Sequence, residues 1–193
     1  MTNRLNKNII MTAIGSLVIL LGLELGLRYD TWQRQIALSI TNMIALAIYL
    51  IIQRYFRKKY QINLPWFVIW SITIAVWLDA IGNFAHYYVE LDWWDDFTHV
   101  IGTMAVTIAI FVSLYYLNKF QKIKLGRFAL PLFSVAVSML LASFYEVTEY
   151  WGDLMFATNR IGARFDTASD LQWNLLGAIL VVLVANLIIR RKK

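Results

Sequence analysis

Polar residues in this chain fall into short clusters, and between them lie apolar stretches of about twenty residues. Six such stretches run over 8–27, 35–52, 65–88, 96–117, 128–151 and 170–189. Each is near the ~20 residues that cross ~30 Å of hydrocarbon at ~1.5 Å per residue. Backbone polar groups in lipid must be satisfied within each span, so the pattern predicts an all-α polytopic transmembrane helix bundle. The connections are too short for a separate folded domain, so residues 1–193 are read as one integral-membrane helical domain. The first stretch sits where a secretory signal would, but it is long, carries Glu24 and lacks an Ala-x-Ala-type cleavage site. It is read as a retained helix.

Composition agrees: 60% of the 193 residues are hydrophobic and only 16% charged, which excludes a soluble core of this size. The charges also segregate. Arg4, Lys7, Arg54, Arg57, Lys58, Lys59, Lys119, Lys122, Lys124, Arg127 and the terminal Arg190–Lys193 run flank one side of the six spans. All twelve acidic residues flank the other, with Arg28, Arg34, Arg160 and Arg164. Positively charged loops stay in the cytoplasm, so both termini are expected there, in the plasma (inner) membrane of a prokaryote. The net charge of +6 is then a topology signal with some attraction to membrane lipids, and gives no support for nucleic-acid binding. Trp32, Trp93, Trp94, Trp151 and Trp173 are placed at the outer interface and Trp66 at the inner one. The chain has no cysteine, so disulfides and thiolate chemistry are excluded.

Candidate chemistry lies where four spans end on the acidic side. Asp79, Asn83 and His86 fall at i, i+4 and i+7 on one helix face. Asp95 and Asp96 precede His99 by four and three residues, so one carboxylate shares the imidazole's face. Glu146 and Glu149 follow at i, i+3, with Asp153 at i+7, and Asp166, Asp170 and Asn174 stand at four-residue steps. Counting along the helices places Asp79 roughly 9 Å below the outer edge of the hydrocarbon and His99 and Asn174 roughly 5–6 Å below it.

An isolated Asp at mid-membrane costs on the order of 2.5–3.5 kcal/mol, so these charges need an offset. A divalent metal ion uses the donors best. Carboxylates with imidazole suit Zn, Mn or Fe, and carboxylates alone suit Mg or Ca. Asp79, Asp96, His99, Asp166 and Asp170 are the candidate ligands, and Glu146 and Glu149 the candidate general bases. Asn83, His86, Asn174, Arg160 and Arg164 are candidate substrate contacts, the arginines suited either to clamping a phosphate or to pairing with nearby acids. Glu90, Asp92 and Asp95 read as solvated loop charges, and Glu24 as a snorkelling or interfacial acid. Gly22 and Gly26 read as a helix-packing pair and Asn42 as an interhelical hydrogen bond.

Three segments carry a family likeness: Asp95-Asp96-Phe97-Thr98-His99, then Tyr145-Glu146-Val147-Thr148-Glu149-Tyr150-Trp151, then Asp166-Thr167 with Asp170-Leu171-Gln172-Trp173-Asn174-Leu175-Leu176-Gly177-Ala178. In order and spacing they resemble the YjdF-like family of uncharacterised bacterial inner-membrane proteins, with its Asp-x-x-His, Glu-x-x-Glu and Asp-Thr…Asp…Gly-Ala motifs. A looser likeness is to VanZ-like proteins, linked to glycopeptide resistance, from which Glu149 departs where a Gln is expected. The resemblance implies that Asp96, His99, Glu146, Glu149, Asp166, Asp170 and Asn174 belong together. It supplies no reaction.

Two functional classes follow. One is a metal-dependent hydrolase or transferase acting on a lipid-linked or cell-envelope substrate. The other is a cation- or proton-coupled transporter using the same carboxylates, and a structural role stands behind both. The cytoplasmic halves of the spans hold almost no ionisable residue, so no polar path is expected to continue inward, which favours the first.

Overall fold

A computed structural model describes residues 2–27, 31–156, 162 and 165–190. The described residues form helices and no strand: α1 (Thr2–Gly26), α2 (Trp32–Tyr60), α3 (Trp66–Phe84), the short α4 (Tyr87–Glu90), α5 (Trp94–Lys119), α6 (Ala129–Phe156) and α7 (Asp166–Arg190). Six are long and apolar enough to cross a membrane, and these are the six expected spans. Only a fifth to a third of each apolar window is buried. The remainder shows Leu, Ile, Val and Phe outward, as a helix solvated by lipid does.

Some bounds differ from the expected ones. The third span stops at Phe84 instead of 88, because His86 takes a left-handed conformation (φ 59°) that breaks the helix before α4. The second runs on to Tyr60, its last turn carrying Arg57, Lys58 and Lys59, where cations complement the helix dipole. The sixth begins at Asp166 instead of 170, which puts Asp166 inside the first turn of α7.

The chain divides into two compact units, Met1–Trp94 and Asp95–Lys193. In the N-terminal unit, α1 packs on α2 and α3. Trp77 Nε1 donates to Ser16 Oγ at 2.7 Å and Trp70 Nε1 to the Ile9 carbonyl at 3.2 Å. Asn42 donates to the Leu17 carbonyl and to Glu24 Oε2 at 3.3 Å, the interhelical bond expected of it.

Three readings are corrected in this unit. Glu24 does not snorkel: it is 2% exposed, held inside by Asn42 from the neighbouring helix. Gly22 and Gly26 face open space, where a Cβ would meet nothing within 4 Å, so they are not a packing pair. Gly82 is the close-packed glycine, lying against Trp94 and Tyr88. Trp94 is correspondingly buried and is not an interfacial anchor.

In the C-terminal unit, α5, α6 and α7 pack around a shared seam. At one end Phe111, Leu130 and Val182 form a buried apolar cluster with Leu125, Val135, Ala185 and Ile189 packed on it. Higher up, α5 and α7 meet so closely that a Cβ on Gly177 would stand 2.5 Å from the Val100 carbonyl oxygen. A glycine is required there to let the two backbones approach.

Candidate functional site

The polar end of the C-terminal unit is built by two helix starts and one helix finish. Asp95 and Asp96 occupy the first turn of α5 and Asp166 that of α7, where unpaired backbone N–H groups favour anions. His99 follows one turn into α5, Asp170 one turn into α7, and α6 brings Glu146 and Glu149 to the same end.

His99 is the centre of the cluster. Its Nε2 lies 3.6 Å from Asp95 Oδ1 and 3.5 Å from Asp170 Oδ1, and its Nδ1 lies 4.0 Å from Glu146 Oε1. These separations exceed the 2.7–3.2 Å usual for an N–H···O hydrogen bond. One ligand atom each from Asp95, His99 and Asp170 lies within 4.8 Å of the others. The surroundings grade from open to closed: the Asp95 side chain is 40% exposed, His99 12%, and Asp170 and Glu146 5%.

Both oxygens of Glu146 and Oδ1 of Asp170 are buried without a hydrogen-bond partner among the described residues. Thr167 is the nearest hydroxyl to the Glu146 carboxylate. Asp95, Asp96, Asp166 and Glu146 all act electrostatically on Asp170. Native proteins seldom leave buried carboxylate oxygens unpaired, because desolvation without a partner costs several kcal/mol per ion, on the order of what a bound cation restores.

Below the acids the seam stays polar. Thr103 donates to Asn174 Oδ1, and Thr107 donates to Ser138 Oγ at 2.9 Å. Ser138 and Ser134 bond back to the carbonyls of Ser134 and Leu130. All five side chains are buried. The inward polar path not expected from the sequence is therefore present as uncharged hydroxyls. It ends one turn beyond Thr107 and Ser134, at Phe111 and Leu130 of the apolar cluster.

The expected site residues distribute as follows. His99, Glu146 and Asp170 meet at the centre. Asp96 turns aside to accept a hydrogen bond from Ser169 at 3.2 Å, and the Asp166 carboxylate lies against Gly162, within electrostatic reach of His99. Glu149 is buried one turn beyond Glu146, and Asn174 one turn beyond Asp170. Asp79, Asn83 and His86 belong to the N-terminal unit. There Asp79 accepts hydrogen bonds from Tyr88 Oη at 2.7 Å and from Asn83 Nδ2 at 3.3 Å, while His86 is exposed in its turn. Arg160 and Arg164 lie outside the described residues.

Asp95 corrects the reading of a solvated loop charge: it is helical and touches the cluster. Its i, i+4 relation to His99 was the available signal. Thr103, Thr107, Ser134, Ser138, Thr167 and Ser169 were missed, because single hydroxyls inside apolar helices resemble ordinary helix-packing residues.

Six apolar helices and a buried histidine–carboxylate cluster define a polytopic helical membrane protein with a polar centre inside its C-terminal half. The chain belongs to the family described as Predicted membrane protein (DUF2238), which matches residues 7–191. The YjdF-like resemblance is consistent with that membership. No curated protein and no solved structure matches the chain.

Proposed function

We propose that this protein is a metal-dependent hydrolase or transferase of the membrane, with Asp95, His99 and Asp170 holding a divalent cation and a lipid-linked or cell-envelope molecule as substrate. The observation that carries the reading is the set of Asp95 and Asp170 oxygens at 3.6 and 3.5 Å from His99 Nε2, with Asp170 and Glu146 buried beside the same imidazole. Those edges are too long for hydrogen bonds. They match the roughly 3.3–3.6 Å between ligands that a tetrahedral cation with ~2.0–2.2 Å bonds imposes. An octahedral ion such as Mg²⁺, at ~2.1 Å, would set edges of roughly 3 Å. The imidazole among the donors favours Zn²⁺, or a similar transition-metal ion, over Mg²⁺ and Ca²⁺.

Three protein ligands leave a fourth position for water or a substrate oxygen, the arrangement of catalytic metal sites. A cation there would polarise a phosphoryl or acyl oxygen or activate water. Glu146 lies on the far side of the His99 ring, 4.0 Å from Nδ1, and on cation binding would close in to accept from Nδ1–H so that Nε2 presents its lone pair. Glu149, buried on the same face of α6, is the candidate general base. Relative to the ligands expected from sequence, this reading takes Asp95 in place of Asp96, assigns Asp166 to the surrounding charge and leaves out Asp79, which accepts from Tyr88 and Asn83 in the N-terminal unit. The half-exposed Asp95 is the side from which substrate enters.

The acidic end of the C-terminal unit opposes an end carrying Lys119, Lys122, Lys124 and Arg127. By the positive-inside rule the site faces away from the cytoplasm and both termini lie within it. The alternative of a cation- or proton-coupled transporter needs a path to the other side, and the hydroxyl seam below the site stops at Phe111, Leu130 and Val182. The test is turnover of phosphoryl- and acyl-linked envelope lipids by purified protein in nanodiscs. Activity abolished by a chelator, restored by Zn²⁺ and lost in Glu149→Gln supports the reading. Ion-driven uptake into proteoliposomes without such turnover would overturn it.

A further inference from the structure

The second span does not end where its apolar residues end. Beyond Ile52, α2 continues for eight residues to Tyr60, about 12 Å of helix. This extension has two faces. Phe56 is buried on one, where Gln53 also accepts from the Leu64 backbone N–H and donates to Asn63 Oδ1, both at 2.8 Å, tying down the turn that follows. On the other face Ile51, Arg54, Tyr55, Lys58 and Lys59 are exposed and line a shallow groove.

We propose that this groove binds an anionic phospholipid, with an acyl chain along Ile51 and Tyr55 and the phosphate between Arg54 and Lys58. The vertical order fits that occupant. Ile51 is the last lipid-exposed apolar residue of the face. Arg54 and Lys58 stand one helical turn apart above it, and a guanidinium offers phosphate a paired donor set. Lys59 is held at 5.3 Å from the centre of the Tyr55 ring and 6.0 Å from that of Tyr60, fixing a third cation beside the groove. No Asp or Glu occurs in the sequence between Asp30 and Asp79, so the countercharge comes from outside this segment. Lipid is the medium that bathes a membrane-spanning helix face, and anionic headgroups attract cationic residues at its edge. The inference rests on α2 alone and is independent of the metal site.

The test is native mass spectrometry of the full-length protein in mild detergent with equimolar phosphatidylglycerol and phosphatidylcholine. Wild-type protein is expected to retain phosphatidylglycerol preferentially. Each charge near the surface contributes about fivefold, so Arg54→Gln/Lys58→Gln together should lower that preference roughly thirtyfold. Lys122→Gln/Lys124→Gln, which removes two charges outside the groove, should lower it far less. If the double variant does not purify as a single species, Lys58→Gln alone carries the test with about a fivefold loss expected. Wild-type preference in the groove variants would overturn the proposal. So would an equal loss in the control pair, or full displacement of the lipid by excess inorganic phosphate.

Discussion

Asp170→Asn separates a metal site from an acidic cluster that merely repels itself, because the two accounts differ in sign. The substitution keeps the shape of a buried side chain but removes one of the charges gathered around His99. Oδ1 of Asp170 lacks a hydrogen-bond partner, and Asp95, Glu146, Asp166 and Asp96 all act on the same carboxylate. Neutralising it in chelator therefore removes a buried charge from among neighbouring carboxylates and is expected to raise stability by about 1 kcal/mol, less than a bound cation contributes to wild type. With a divalent cation at a hundred times its dissociation constant, wild-type protein gains about 2.7 kcal/mol, a rise of roughly 5–11 °C in Tm for a chain of this size. Asp170→Asn loses one of three ligands and should forfeit most of that gain. The assay is intrinsic-fluorescence melting in detergent, with EDTA or Zn²⁺. A variant that melts above wild type in EDTA and below it in Zn²⁺ is expected. The same metal-induced rise in both proteins would refute the assignment of Asp170.

Further expectations follow from neighbouring positions. Glu146→Gln leaves the three ligands in place but removes the carboxylate beside His99 Nδ1, so metal affinity measured by competition with a chromophoric chelator should fall about 10–100-fold. Gly177→Ala places a Cβ 2.5 Å from the Val100 carbonyl oxygen and must push α5 from α7. A loss of about 1–3 kcal/mol in melting experiments is expected, with weaker metal binding because Asp95 and His99 ride on α5 while Asp170 rides on α7. Glu24→Gln keeps a partner for Asn42 and removes a buried charge, so stability should hold or rise while metal content stays at the wild-type value. Histidine and carboxylates bind a cation only when deprotonated, so dialysis at successively lower pH should strip the metal.

The six helices were legible because span length and hydropathy follow from the thickness of a bilayer, whatever the packing. The stripes were legible for a related reason: four-residue steps place Asp166, Asp170 and Asn174 on one face before any neighbour is known. The rotation of each helix was not legible. Whether Asp95 or Asp96 faces the imidazole depends on how α5 lies against α7, and that is set by the close approach at Val100 and Gly177. The burial of Glu24 depends on Asn42 in the next helix, and the emptiness beside Gly22 and Gly26 depends on which side of α1 its neighbours occupy. The break after Phe84 carries no glycine or proline signal, since His86 itself adopts the left-handed conformation.

The central claim is that Asp95, His99 and Asp170 hold one cation between them, and elemental analysis of detergent-purified protein tests it most directly. The expected result is near one equivalent of a single transition metal, zinc first among them, in wild-type protein and in Glu24→Gln. Less than a tenth of that should remain in His99→Ala and Asp170→Ala preparations that are folded by circular dichroism. Wild-type protein with no metal after purification in zinc-supplemented, chelator-free buffer, or metal retained undiminished in both alanine variants, would contradict the account.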